Sequence, residues 1–130
     1  MKMQWSNEQL DAFGRAGEVD VAPRREDGAL RRPTTIWLVR VGDELFIRSY
    51  RGPEGGWYRA ATRTGRGRVN VGAIAHDVVF EPASDVDHAA VDDAYRAKYG
   101  RSSYVDAMVT DDAAATTLRL APALETQEDS

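Results

Sequence analysis

Apolar positions alternate with polar ones through much of the first two thirds of the chain, the period of a half-buried β-strand. The clearest runs are TTIWLVRV and ELFIRSY, and the Gly-Asp between them predicts a tight hairpin. EVDVAPR, GWYRAA, GRVNVG and HDVVFEP have the same character, and TTLRLAP near the C-terminus predicts a last strand. The first six runs, with their short connections, predict an antiparallel sheet or a small barrel.

A different period, near 3.6 residues, predicts helices before and after these six runs in the chain. Ser6 followed by Gln9 is the signature of a capping box and predicts a short helix over residues 6–14, ended by Gly14 and Gly17. The run SSYVDAMV predicts another short helix late in the chain.

The segment SDVDHAAVDDAYRAKYG predicts the main helix, with Ser84 as a possible cap and Gly100 at its end. Val91, Ala94, Tyr95 and Lys98 share one face of this helix. That face is expected to pack on the barrel, with Tyr95 in the core.

The length of 130 residues fits one domain, predicted over residues 1–122, with a disordered tail over 123–130. The chain has no cysteine, which excludes disulfides and thiol chemistry. No apolar run reaches the roughly 18 residues of a membrane span, and MKMQWSNEQLDAF has no signal-peptide core. A cytoplasmic protein without membrane contact is therefore expected.

Positive charge is concentrated in the first half of the chain. Residues 15–68 carry 12 arginines against 7 acids, whereas residues 69–130 carry 4 basic residues against 12 acids. A basic half could face an anion, but arginine outnumbers lysine 15 to 2, which a GC-rich genome also produces. Because the net charge is −4 and no basic motif stands out, nucleic-acid binding is not expected.

The sequence offers no catalytic constellation. His76 and His88 fall on different elements, and the acids around His88 are typical of a solvated helix face, so no metal site is predicted. No serine or threonine stands in a nucleophile-elbow pattern, and no catalytic residue is identified. An enzyme built from this chain would take its chemistry from a cofactor.

The run PTTIWLVRVGDELFIRSYRGPEGGWYRAA, followed by AAVDDAYRAKYG and TTLRLAP, resembles a bacterial family called domain of unknown function 2255. The resemblance extends from Trp5 to Pro122 and is most specific at residues 93–100. That family has no established activity, so the resemblance implies no function by itself.

The order of these motifs is also similar, more distantly, to the deazaflavin-dependent nitroreductases. This resemblance implies a split β-barrel, usually a homodimer with flavin between the subunits. The family's Gly-Arg-x-Ser-Gly turn corresponds here to DGALRRPT, where Arg32 stands but the serine and the second glycine are missing. The expected fold is thus α+β, a split barrel of about six antiparallel strands with the helix of the C-terminal half packed on it.

The segment RSYRGPEGGWYRAA is the candidate site. Read as two strands joined by a glycine-rich turn, it directs Arg48 outward and Ser49 inward and sets Trp57 and Arg59 on one face of the second strand. Arg48 and Arg59 would then stand side by side, and a phosphate or a partner subunit's acid would relieve their repulsion. Alternatively, these arginines are solvated or paired with Asp43, Glu44 or Glu54.

The predicted cofactor-binding residues are Arg32, Arg48, Ser49, Arg51, Trp57 and Arg59. The arginine–aromatic cluster favours a flavin- or deazaflavin-dependent oxidoreductase that binds FMN or the deazaflavin coenzyme. The incomplete glycine–arginine turn favours instead a cofactor-free barrel that acts as a binding or structural module. In either case, outward rings of Trp37, Phe46 or Trp57 would expose an apolar patch, which predicts a homodimer.

Overall fold

The structure, a computed structural model, describes residues 4–83 and 85–123. Its strands are β1 (Val19–Pro23), β2 (Thr34–Ile36), β3 (Leu38–Val41), β4 (Glu44–Ile47), β5 (Arg66–Val71), β6 (Ile74–Pro82) and β7 (Leu118–Pro122). Its helices are α1 (Asn7–Arg15), α2 (Gly56–Thr64), α3 (His88–Tyr99), α4 (Val105–Met108) and α5 (Asp111–Ala114), with a 3-10 turn at Gly52–Glu54. Among these residues, none of the helices has the length and the apolar character that a membrane span requires.

All seven strands form one antiparallel sheet in the order β2-β1-β5-β6-β7-β4-β3. The two edge strands, β2 and β3, are separated along the chain by Trp37 alone. Since neighbouring Cα atoms are about 3.8 Å apart, the two edges of the sheet must come together at this residue. The sheet is therefore a nearly closed barrel with a seam at Trp37, which confirms the predicted split barrel.

The inside of the barrel holds the larger apolar core. Helix α1 contributes Leu10 and Phe13, both essentially inaccessible, and Trp5 donates its indole N–H to the Leu120 carbonyl at 2.9 Å. Helix α2 adds Ala61, and the strands supply the remaining members, which are Val19, Val21, Leu38, Leu45, Ile47, Val69, Val78, Phe80, Leu118 and Leu120. The alternation read in the sequence thus points one side of each strand into the barrel.

A second core lies on the outer face of the sheet beneath α3. Val39 and Phe46 from the strands pack with Val91 and Tyr95 of the helix. The other members of the cluster are Ala83 and, from α4, Val105 and Met108. The prediction that Tyr95 is a core residue is confirmed. The helix is capped by Asp87, whose side chain accepts from the Ala90 N–H; Ser84 and residues 124–130 of the predicted tail lie outside the described part of the chain.

The N-terminal helix forms with the predicted capping box. Ser6 accepts from the Gln9 N–H at 3.1 Å, and the Gln9 side chain accepts from the Ser6 N–H at 2.8 Å. The helix nevertheless continues through Gly14 to Arg15, so Gly14 does not end it. Leu10 and Phe13 of this helix are buried in the barrel core, and this contact outweighs the weak helix propensity of one glycine.

One predicted strand is wrong: GWYRAA begins helix α2. Ala60 and Ala61 are buried, and Trp57, three residues before Ala60, packs against the barrel core, which is helical spacing. The helix ends at Gly65, whose φ of 73° is the left-handed conformation of a helix C-terminus. The strand count still rises to seven, because Trp37 divides the first hairpin strand into β2 and β3 and the last strand, β7, joins the sheet.

Candidate functional site

A cleft of about 680 Å³ opens at the seam of the barrel. Its walls come from strand β2, the turn that follows β4, the start of α2 and helix α4. We call it the seam cleft; it is lined by Thr34, Thr35, Ile36, Trp37, Arg48, Ser49, Tyr50, Arg51, Glu54, Gly55, Gly56, Trp57, Tyr104, Ala107 and Met108. Its size is that of a site for a coenzyme-sized molecule.

The structure brings four of the six predicted site residues together in this cleft. Arg48, Ser49, Arg51 and Trp57 line it. Arg32 and Arg59 are exposed and do not contribute to its walls. The segment singled out in the sequence thus contributes one side of a cleft, although its second half is helical.

Arg48 is buried, contrary to the prediction that it points outward to a ligand or partner. It lies just past the end of β4 on the face covered by α3 and α4, and it is 1% exposed. The guanidinium forms a salt bridge with Asp92 and donates to the Thr117 hydroxyl and the Met108 carbonyl, both at 2.9 Å. A longer contact of 3.4 Å joins it to the His88 imidazole.

These bonds give Arg48 a structural role at the edge of the cleft. Its donors bind groups on α3, α4 and the residue before β7, three elements that meet around it. Its planar group also lies 5.7 Å from the centre of the Tyr95 ring. Since the donors are used within the chain, Arg48 is a poor choice for holding a ligand phosphate.

The predicted cross-strand pair of Arg48 and Arg59 does not form, because Arg59 lies on helix α2. The acids suggested as partners for these arginines have other neighbours: Asp43 pairs with Arg40 at 3.8 Å and Glu44 with Arg119 at 2.9 Å. The exposed Arg51 donates from Nε to the Tyr50 hydroxyl at 3.1 Å. Arg51 is therefore the arginine that stands at the open side of the cleft.

The cleft has aromatic side chains at both its wall and its rim. Trp37 stacks on Tyr99 with ring centres 4.0 Å apart and planes nearly parallel. Tyr99 is fixed in turn, because its hydroxyl lies 2.9 Å from the Gly17 carbonyl, and burial raises the pKa of this hydroxyl to about 12. Tyr50 and Tyr104 at the rim are 62% and 74% exposed.

Trp37, Phe46 and Trp57 do not form the exposed apolar patch that the sequence predicted. Phe46 is buried beneath α3, and the two tryptophans are half-buried. The physical reason is that the main helix covers the outer face of β4, so that face becomes a second core. Sequence reasoning missed Tyr104 and Met108 as cleft residues, since α4 is brought to the seam only by the tertiary fold.

Unused hydrogen-bond donors converge at the start of α2. The first backbone N–H groups of this helix, those of Gly56, Trp57 and Tyr58, receive no side-chain cap from Gly55. Ser49 is 1% exposed, lines the cleft, and its hydroxyl makes no hydrogen bond within the described residues. A helix N-terminus with a free hydroxyl beside it favours an anion.

Gly55 allows this close approach. A Cβ placed on Gly55 would lie 2.3 Å from the Ser49 hydroxyl oxygen. Any other residue would push Ser49 away from the first turn of α2. Gly55, which the sequence suggested was part of a hairpin turn, therefore allows Ser49 to lie against the start of α2.

The histidines lie apart. His76 packs against Trp5 and Phe13, where burial lowers its pKa, and His88 lies beside Arg48. Within residues 4–83 and 85–123, no group of three or more His, Asp or Glu residues is arranged to hold a metal ion.

The fold and the seam cleft define a split-barrel protein with a site of coenzyme size. The chain belongs to domain of unknown function 2255, a family described as an uncharacterized protein conserved in bacteria, whose model matches residues 9–120. This confirms the family recognised from the sequence. No curated protein matches the chain by sequence.

Solved structures with the same fold share little sequence with the chain. The conserved hypothetical protein Rv2991 from Mycobacterium tuberculosis is 13% identical, with a TM-score of 0.61 and coverage of 95% of this chain and 83% of the other. A proposed 5-nitroimidazole antibiotic resistance protein from Bacteroides thetaiotaomicron is 16% identical, with a TM-score of 0.55 and coverage of 92% and 81%. An F420 reductase is 14% identical, with a TM-score of 0.50 and coverage of 88% and 92%.

Proposed function

We propose that the protein binds a flat aromatic ligand carrying an anionic group in the seam cleft, and that a flavin-type coenzyme is the first candidate. The observation that carries this proposal is the combination of aromatic walls and free hydrogen-bond donors in a single cleft of about 680 Å³. The proposed function is ligand binding, and any redox chemistry would be supplied by the coenzyme.

The aromatic walls suit the ring system of such a ligand. Trp37 is held flat by its stack on Tyr99, and Trp57 is fixed in the first turn of α2. Rings held in this way stack on a planar ligand at little further entropic cost. Tyr50 and Tyr104 at the rim add two exposed rings that would be covered by a bound molecule.

The anionic group of the ligand fits the start of α2. The free N–H groups of Gly56 and Trp57 and the buried Ser49 hydroxyl can all donate to an oxyanion, and Arg51 adds a positive charge at the opening. This arrangement replaces Arg48 and Arg59, which the sequence suggested for the same task. Ser49, Arg51 and Trp57 remain the predicted cofactor contacts.

The similarity of fold to an F420 reductase supports the choice of ligand class. F420 is a deazaflavin coenzyme, and FMN shares its flat tricyclic ring and its phosphate. At 14% identity the likeness is one of fold, and it motivates the use of F420 and FMN as probes.

Titration calorimetry with FMN and F420 tests the proposal. We expect saturable binding of at least one of them, with a dissociation constant of about 1–100 μM. Ser49→Ala should weaken binding about tenfold, because one charge-assisted hydrogen bond is lost, whereas Ser103→Ala, an exposed serine outside the cleft, should leave it unchanged. Absence of heat with both coenzymes at about 100 μM would contradict the proposal.

The second candidate is a barrel that binds no cofactor and acts as a binding or structural module. The observation that favours it is the use of Arg48 within the chain, which removes one expected phosphate ligand. If the folded protein shows no binding of FMN or F420 in these titrations, this second candidate is supported.

For both candidates we expect a homodimer. Edge strand β2 leaves one row of backbone groups unpaired beside the cleft, and Tyr50, Ile74 and Tyr104 are more than half exposed. Light scattering at about 50 μM should then give twice the chain mass of 14.4 kDa. A single 14.4 kDa species at this concentration would rule out the dimer.

A further inference from the structure

We propose that a second hollow, separate from the seam cleft, binds a phosphate-bearing molecule. This hollow of about 320 Å³ lies between the turn after β1 and the middle of α2. We call it the arginine hollow; it is lined by Arg24, Arg25, Glu26, Asp27, Arg31, Ala60 and Arg63. It shares no lining residue with the seam cleft, so it goes beyond the function proposed above.

The turn that forms one wall is held in place by its own hydrogen bonds. The Arg25 N–H donates to the Ala29 carbonyl at 2.7 Å, and the Arg31 N–H donates to the Pro23 carbonyl at 2.8 Å. The Arg24 guanidinium donates to the Gly28 carbonyl at 2.7 Å, which closes the turn from the side. The hollow is therefore formed before any ligand arrives.

The charge of the hollow is positive and only partly compensated. Arg24 lies 3.7 Å from Asp77, and that acid also binds Arg68 at 3.0 Å. Within the part of the chain that the structure describes, no acid pairs with Arg25, Arg31 or Arg63. Four arginines against two acids leave the lining with a charge of +2.

The two acids differ in their relation to a ligand. Asp27 accepts from the Ala29 N–H at 2.9 Å, so one of its oxygens serves the turn. Glu26 has no salt bridge among the described residues, and its charge would oppose an incoming anion. Because Coulomb attraction grows with the charge of the ligand, a multiply charged anion gains most from such a lining, and phosphate groups are anions of this kind.

Phosphate also fits the donors. Each guanidinium presents parallel N–H groups that match two oxygens of one phosphate, and arginine keeps its charge at any physiological pH. A volume of about 320 Å³ accepts one or two phosphate groups, with Ala60 providing a small apolar floor. The site is thus suited to a phosphate ester or a diphosphate.

Calorimetric titration of the full chain with inorganic pyrophosphate at low ionic strength tests this proposal. We expect saturable binding with a dissociation constant below about 1 mM. The double variant Arg31→Ser/Arg63→Ser should raise that constant at least about tenfold. The matched control Arg15→Ser/Arg101→Ser removes the same charge from exposed positions outside the hollow and should change it less than about twofold.

Two more variants make the outcome independent of any folding defect. Glu26→Gln should tighten binding, because it removes the opposing charge, and this gain cannot arise from unfolding. Arg63→Lys should bind more weakly than the wild type and more tightly than Arg63→Ser, since charge is kept and the two-pronged contact is lost. Equal losses in the two double variants, or no binding at about 5 mM pyrophosphate, would overturn the proposal.

Discussion

Replacing Arg48 by alanine is expected to destabilise the protein by about 3–5 kcal/mol, the range for breaking a buried ion pair by removing one partner. The variant leaves Asp92, the Thr117 hydroxyl and the Met108 carbonyl without their donor. It also leaves a space the size of an arginine side chain between the sheet and α3, since the side chain is fully buried. Urea unfolding followed by circular dichroism measures the loss.

Arg51→Ala is the matched control for this prediction. Arg51 lies three residues further along and is exposed, so its loss should change the free energy of unfolding by no more than about 0.5 kcal/mol. If Arg48→Ala cost as little as Arg51→Ala, the contacts of Arg48 with Asp92 and with the Met108 carbonyl would not hold α3 and α4 to the barrel. Arg48 would then be free to act as the ligand contact that the sequence suggested.

Tyr95→Ala should lower the free energy of unfolding by about 3–5 kcal/mol, because removing a large buried ring leaves a cavity that the surrounding side chains fill only partly. The side chain is inaccessible and contacts the cluster formed by Val39, Phe46 and Val91. Thermal or urea unfolding measures the change. A loss below about 1 kcal/mol would show that α3 does not depend on this contact.

Tyr95→Phe separates the ring from its hydroxyl. The hydroxyl is buried without a hydrogen-bond partner, although it lies near the Arg48 backbone, and burial strongly raises its pKa. Removing an unsatisfied buried group should leave stability unchanged or raise it by up to about 1 kcal/mol. A clear loss in Tyr95→Phe would indicate a hydrogen bond that the structure does not contain.

The fold could be predicted from the sequence wherever the local pattern and the tertiary environment agree. The hairpin of LVRV and ELFI, the capping box at Ser6 and the apolar face of α3 each have one consistent periodicity. The strand predicted for GWYRAA was wrong because six residues rich in small and aromatic side chains are compatible with both a strand and a helix. Gly55 and Gly56 were taken for part of a hairpin turn, whereas Gly55 is the N-cap of α2 and Gly56 is its first residue.

Only part of the site could be predicted from the sequence, because a local pattern does not show which distant elements pack on a strand. Alternation correctly set Arg48 on the face opposite Leu45 and Ile47, but the sequence could not tell that α3 covers that face. An outward residue of a strand is exposed only if nothing packs on it, and that is decided by elements about 40 residues away. Ser49 was read as inward, and its relation to the start of α2 depends on a helix that was not foreseen.

If the seam cleft binds a flat anionic aromatic ligand, the three tryptophans should report that binding most directly. Trp37 and Trp57 line the cleft, whereas Trp5 lies in the barrel core with its indole N–H bonded to the Leu120 carbonyl. In a ¹H–¹⁵N spectrum recorded during titration with FMN or F420, the indole signals of Trp37 and Trp57 should shift and saturate while that of Trp5 stays fixed. Three unmoved indole signals with both coenzymes at about 100 μM would contradict the account.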